Sequence, residues 1–239
     1  MSARVGVVLF PGTNCEHDVV WALNSIGGSA ELLWHADRDL RGCDAVVLPG
    51  GFAHGDYLRT GAIARFSPVM EAVSAFAAEG GPVAGICNGF QILTEAGLLP
   101  GALQKNAGLK FRCQTVEVRV ETTTSVLTSL CAPGQILRIP INHFEGNFVC
   151  DPETLARLRG EDQVVFRYVD NPNGSIDDIA GICSEAGNVV GLMPHPERAC
   201  EELLGSADGA LLLRSLLIRA PGGPGVSSGV TVAAGRPGR

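Results

Sequence analysis

A short apolar run, Pro82-Val83-Ala84-Gly85-Ile86, stops at Cys87 and gives way at once to a helical pattern. Phe90, Ile92, Leu93 and Ala96 are its apolar positions, and Gly97 is placed to end it. An unbroken apolar run of this kind reads as a strand buried on both faces, which requires helices above and below the sheet. Gly85 and Gly89 stand two residues either side of Cys87. That is the spacing of a nucleophile elbow, G-x-S-x-G, with Cys in place of Ser. The strand turns so sharply into the helix that side chains beside the nucleophile have no room. The turn lifts the sulfur off the sheet edge and sets it at a helix N-terminus, where the dipole and free N–H groups favour a thiolate. On the pentapeptide alone, a buried cysteine packed as a small hydrophobe accounts for the residues equally well.

The residues before the elbow repeat the same strand-and-helix alternation. Val5 to Phe10 reads as a first strand. Pro11-Gly12-Thr13-Asn14 is a turn, with Thr13 or Asn14 as N-cap of a helix that stops at Gly27-Gly28. Ala30 to Trp34 and Asp44 to Leu48 follow as strands, and Ser67 to Glu79 as a helix with Ser67 as its cap and Pro68 in its first position. This order predicts an α/β fold of flavodoxin-like type, a doubly wound and mostly parallel sheet flanked by helices. Ligands in such sheets lie beyond the carboxyl ends of the strands. Cys87 and the Gly50-Gly51 pair therefore share one rim, and beside a nucleophile that pair reads as a backbone donor loop for an oxyanion. No G-x-G-x-x-G follows the first strand, which argues against a dinucleotide.

Past the elbow helix the pattern changes. Val116, Val118 and Val120 alternate with polar neighbours, the mark of a half-exposed antiparallel strand. Ile136 to Ile141 and Val164 to Val169 read as further strands. Asp151 caps a short helix with Pro152 first, and Ile179 to Cys183 pairs with Val189 to Met193 as a hairpin turning at Gly187-Asn188. The last helix falls within Leu203 to Ile218. An antiparallel hairpin region is thus expected beside the parallel sheet. The chain divides into one domain over 1–219 and a Gly/Pro-rich segment over 220–239, expected to be disordered.

Composition narrows the class. With 46% hydrophobic and 18% charged residues, the chain can bury a full core. A formal net charge of -7 argues against nucleic acid as a partner. No apolar run reaches the length of a membrane span, and no signal peptide is expected before the first strand. The eight cysteines include no C-x-x-C pair, as expected for reduced thiols in the cytoplasm, and no metal site is expected.

A partner for the cysteine lies far along the chain, in Met193-Pro194-His195-Pro196-Glu197-Arg198. Two prolines press the backbone toward extended geometry, in which residues two apart face the same way. Glu197 would then orient His195, completing a nucleophile, base and orienter with Cys87. His143, close to Glu145, is a second candidate base. His54 lies in the Gly-rich loop, while His17 and His35 have no constellation around them.

With these motifs together, the chain resembles the class I glutamine amidotransferase family. The resemblance rests on Gly85-Ile86-Cys87-Asn88-Gly89, Pro49-Gly50-Gly51 and Pro194-His195-Pro196-Glu197, and it runs from about Val5 to Ile218. Phe10-Pro11-Gly12-Thr13-Asn14-Cys15, Gly51 to Arg59, Cys87 to Gln91 and Asn171 to Ser175 place it closest to the small glutaminase subunits of purine biosynthesis. Ala53-His54 stands where that group more usually has Ser-Tyr. The resemblance implies that Cys87, His195 and Glu197 are catalytic, and that N–H groups of Gly51 or Phe52 and of Asn88 hold the oxyanion. It makes Gln91 a substrate contact. It also implies L-glutamine as substrate and no cofactor in this chain. ATP and Mg would be used by a partner synthetase subunit that converts formylglycinamide ribonucleotide to its amidine, with a small third subunit. A stand-alone Cys-dependent γ-glutamyl hydrolase or peptidase of the same fold is the alternative.

Overall fold

The computed structural model describes residues 2–221. The chain begins with β1 (Arg4–Leu9), α1 (Glu16–Ser25), β2 (Ser29–Trp34), β3 (Ala45–Leu48), α2 (Val69–Ala78), β4 (Val83–Ile86) and α3 (Asn88–Glu95). It continues with β5 (Ala102–Gln104), β6 (Arg112–Val120), β7 (Ile136–His143), β8 (Asn147–Val149), α4 (Pro152–Gly160), β9 (Val164–Tyr168), β10 (Ile179–Cys183), β11 (Val189–Leu192) and α5 (Gly209–Arg219). Nine strands form one sheet in the order β2-β1-β3-β4-β11-β10-β9-β6-β7, while β5 and β8 pair separately. From β2 to β11 every neighbour is parallel, and from β11 to β7 every neighbour is antiparallel. The expected antiparallel region is therefore a four-strand continuation of the same sheet.

β3, β4 and β11 are buried at every position, as their continuous apolar sequence requires. β6 alternates between exposed and buried from Thr115 onward, so one face meets the core and the other meets water. Parallel pairing aligns Ile86 of β4 with Leu192 of β11 and Leu48 of β3 with Gly85 of β4. The carboxyl ends of these three strands thus lie level and side by side. α3 packs on all three. Its Phe90 stacks on Phe148 of β8, with ring centroids 5.9 Å apart, tying the elbow helix to the small sheet.

Two expected caps are not formed. α1 starts after Cys15 with no side-chain cap, and the Thr13 hydroxyl instead accepts from the Phe10 N–H at 3.1 Å. α2 starts at Val69, after Pro68. The Ser67 hydroxyl is drawn between His35 Nδ1 at 3.2 Å and His54 Nε2 at 3.3 Å, a pairing from distant sequence that local capping rules cannot see. The Asp151 cap is formed, accepting from the Thr154 N–H at 2.9 Å. The segment expected to be disordered lies outside the described residues from residue 222 onward.

Candidate active site

The elbow is built from strain and close approach. Cys87 has φ 52° and ψ −104°, outside the regions a side chain normally allows. A Cβ on Gly89 would overlap the carbonyl oxygen of Leu48, and one on Gly85 would lie 2.7 Å from the Gly89 backbone. The two glycines let β4, β3 and α3 converge beneath the sulfur. Cys87 is 5% exposed and lines a cleft of ≈ 420 Å³ at the carboxyl edge of the sheet.

His195 follows β11, the neighbour of β4, and reaches the same cleft. Its Nδ1 pairs with Glu197 Oε1 at 2.6 Å, both side chains being almost fully buried. The route to this pairing differs from the expected one. Pro196 to Arg198 form a single 3-10 turn, so Glu197 curls back beneath the ring rather than running parallel to it in an extended strand. Proline tolerates the first position of such a turn as readily as an extended chain. Gly50 clears the other face of the ring: a Cβ there would sit 2.7 Å from His195 Cε1.

Burial by itself disfavours a charged imidazole. The Glu197 carboxylate opposes that, aided by the Cys87 and Cys15 sulfurs, and holds His195 well above the ordinary histidine range. Nε2 is buried with no partner at full hydrogen-bond geometry, although the Cys87 sulfur is near enough to raise its proton affinity. Such loose alignment is usual before substrate binds. The arrangement sets the cysteine sulfur beside an imidazolium that a carboxylate orients from behind.

The backbone donors divide clearly. The Gly51 and Asn88 N–H groups make no hydrogen bond among the described residues, whereas the Phe52 N–H donates to the Gly12 carbonyl at 3.0 Å. Of the expected pair Gly51 or Phe52, only Gly51 is free to receive an oxyanion in this conformation. The Asn88 side chain is spent on the loop after β3. It accepts from the Ala53 N–H at 3.0 Å and donates to Asp56 at 3.2 Å and to Gln91 at 2.8 Å. Gln91 lines the cleft, but both its amide atoms are engaged, Oε1 by Asn88 and Nε2 by the Glu145 carbonyl.

His143 is not placed as a base. Nδ1 lies 3.1 Å from Asn106 Oδ1, and burial, the nearby His195 and Arg112 push its pKa down to about 4. It is a neutral wall residue. Asn106 also donates to the His143 carbonyl at 3.0 Å and accepts from the Gly146 N–H at 3.1 Å, fixing the turn after β7.

Sequence reasoning missed Cys15 as a neighbour of His195. The thiol donates to Asn14 Oδ1 at 3.2 Å, and Arg198 Nη2 donates to its sulfur at 3.1 Å. Ligand atoms of Cys15, His195 and Glu197 lie within 4.8 Å of one another. The Arg198 guanidinium beside the sulfur already supplies positive charge there, which opposes a metal cation. No local signal joins residues 180 positions apart; only the loop following the first strand, beyond a carboxyl edge, hinted at Cys15.

A cysteine on an elbow, a histidine beyond the neighbouring strand and a glutamate behind it form a nucleophile, base and orienter set on this fold. A family model described as a CobB/CobQ-like glutamine amidotransferase domain matches residues 2–208, and the chain belongs to that family. Its relatives narrow the branch. Phosphoribosylformylglycinamidine synthase subunit PurQ of Rubrobacter xylanophilus is 61% identical over 214 residues, covering 90% of this chain and 97% of the relative. The protein of that name from Thermus thermophilus is 60% identical, covering 86% and 94%. The solved structure of PurLQS from Thermotoga maritima contains a chain 43% identical with a TM-score of 0.84, covering 91% of this chain and 98% of that one. A glutamine amidotransferase from Thermotoga maritima, 19% identical with a TM-score of 0.54 and covering 90% of each chain, shares the fold.

Proposed function

We propose that this chain is the glutaminase subunit of phosphoribosylformylglycinamidine synthase and that Cys87, His195 and Glu197 carry its chemistry. The Cys87 thiolate attacks the side-chain carboxamide carbon of glutamine, forming a C–S bond. The Gly51 and Asn88 N–H groups receive the oxyanion. His195 gives its proton to the departing nitrogen, the C–N bond breaks, and ammonia leaves a glutamyl thioester. Water attacks the thioester carbon as His195 takes its proton; a C–O bond forms, the C–S bond breaks, and glutamate is released with the Cys87 sulfur restored. Glu197 keeps the ring oriented and its charged form favoured throughout.

One observation carries this reading: the 2.6 Å His195–Glu197 pair stands just beyond the strand that neighbours the one Cys87 follows, with the two strands in level register. Ammonia freed into neutral water becomes ammonium and loses its nucleophilicity. The product therefore passes directly to a synthetase subunit, on which ATP, Mg and formylglycinamide ribonucleotide are used, with a small third subunit completing the assembly. No helix among the described residues is long and apolar enough to cross a membrane, in keeping with work in the cytoplasm.

The test is glutamine hydrolysis by the chain alone and with its synthetase subunit, beside Cys87→Ala. Partner-stimulated hydrolysis that the substitution abolishes, while ammonia-dependent synthesis survives, is expected. Vigorous hydrolysis indifferent to the partner would mark an independent hydrolase.

A further inference from the structure

The cleft holds more charge than the triad uses. Asp56, Arg59, Lys105 and Glu145 line it alongside Cys87 and His195. Arg59 is neutralised outside the cleft by two hydrogen bonds of 2.6 Å to Glu95. The other three have no ionic partner among the described residues. The Glu145 carboxylate makes no hydrogen bond. Asp56 has the Asn88 amide at 3.2 Å and a backbone bond from Gly61. Lys105 Nζ rests 5.9 Å over the Phe144 ring. Two unpaired carboxylates and one unpaired ammonium in one cleft complement a small zwitterion.

Their placement follows from the elbow. Asn88 immediately follows the nucleophile and Gln91 lies one turn further on. The Asn88 amide holds Asp56, and the Gln91 amide holds the backbone of Glu145. One helical turn therefore ties both acidic residues to the elbow helix. In glutamine the α-nitrogen stands about 5 Å from the carboxamide carbon at ordinary bond lengths, so a molecule seated at Cys87 presents its charged end within this same cleft.

We propose that Asp56 and Glu145 receive the α-ammonium, and Lys105 the α-carboxylate, of the glutamine attacked by Cys87. This rests on the glutaminase reading and adds which residues distinguish a free amino acid from any other carboxamide. Charge-assisted bonds to two acids recognise an ammonium and give nothing to an uncharged group. Burial, reinforced by the Glu145 charge, pushes Asp56 up to about 6, and a cation beside it would offset both effects.

The experiment is steady-state glutamine hydrolysis by the assembled enzyme, with Asp56→Asn, Glu145→Gln and Lys105→Met. 4-Carbamoylbutanoate, which lacks the α-amino group, serves as second substrate. Losing one charged contact is expected to raise KM for glutamine about 10- to 100-fold with kcat within a few-fold. The first two substitutions should leave kcat/KM for the deaminated compound unchanged, whereas Lys105→Met should lower it for both. The groups facing Asp56 are Glu145, the Asn88 amide and the Gly61 backbone, with Arg59, Lys105 and His143 elsewhere in the cleft. Wild-type KM should accordingly rise as pH falls through about 6, and Asp56→Asn should flatten that rise. An unchanged KM in both acid variants, or an equal loss for both substrates, overturns the assignment even if Cys87→Ala behaves as expected. Loss of glutamine hydrolysis from the unsubstituted assembly would fault the underlying reading instead.

Discussion

The parallel and antiparallel halves of the sheet are continuous, yet they serve the cleft differently. β1, β3, β4 and β11 end level with one another, and the loops beyond them hold Cys15, Gly51, Cys87 and His195. From the antiparallel half, the end of β7 and the turn after it come to the cleft, with Asn142, His143, Phe144 and Glu145. The reacting atoms thus sit just beyond the ends of buried strands, and the opposite wall sits at the end of a strand with one face in water. A division of labour follows: the loops beyond the parallel strands carry the reacting groups, while the antiparallel half supplies the facing wall and part of the core.

The largest expected effect tests the first part. His195→Ala should lower kcat for glutamine by about 10²- to 10⁴-fold, with KM little changed. A KM effect of comparable size would show that the ring holds substrate as well as moving protons. Phe166→Ala, in the core of β9, should cost about 3–5 kcal/mol of stability. Denaturant unfolding would measure it, and turnover per folded molecule should stay near the wild-type value. If turnover falls too, the halves are not separable.

The smallest effect is a pH dependence confined to the antiparallel wall. Buried His143 resists its proton until about 4, while the unfolded chain takes one near 6.5. Between these values the unfolded state binds more protons, so stability rises with pH across this window and is fully present above 6.5. The gap is worth about 3 kcal/mol. His143→Gln should flatten that limb of a stability–pH curve. An unaltered limb would place the titration elsewhere.

What the sequence made legible was local. The elbow, the Gly50-Gly51 loop and the His195-Pro196-Glu197 run are each a few residues long, and each carries its geometry in its own glycines or prolines. Alternation in residues 115–120 marked an antiparallel strand, but nothing in the periodicity said that four such strands extend one sheet. Ser67 was misjudged because two histidines from other segments compete for its hydroxyl. Glu197 reached His195 through a turn rather than a strand, since proline permits both. The union of Cys15 with Arg198, and of Asp56 with Asn88, depends on the order of strands in the sheet, which local spacing does not encode.

The glycines that wall the nucleophile have a consequence for how such a protein can change. At positions 50, 51, 85 and 89, neighbouring groups press so closely on the site that a methyl group cannot be added. Side-chain exchange there offers evolution no intermediate steps. A new preference in what the site accepts must therefore arise at its margins, beyond Gly51 in the loop after β3 and at Phe144 and Glu145 after β7. The centre is fixed hardware, and its repertoire is written around the edge.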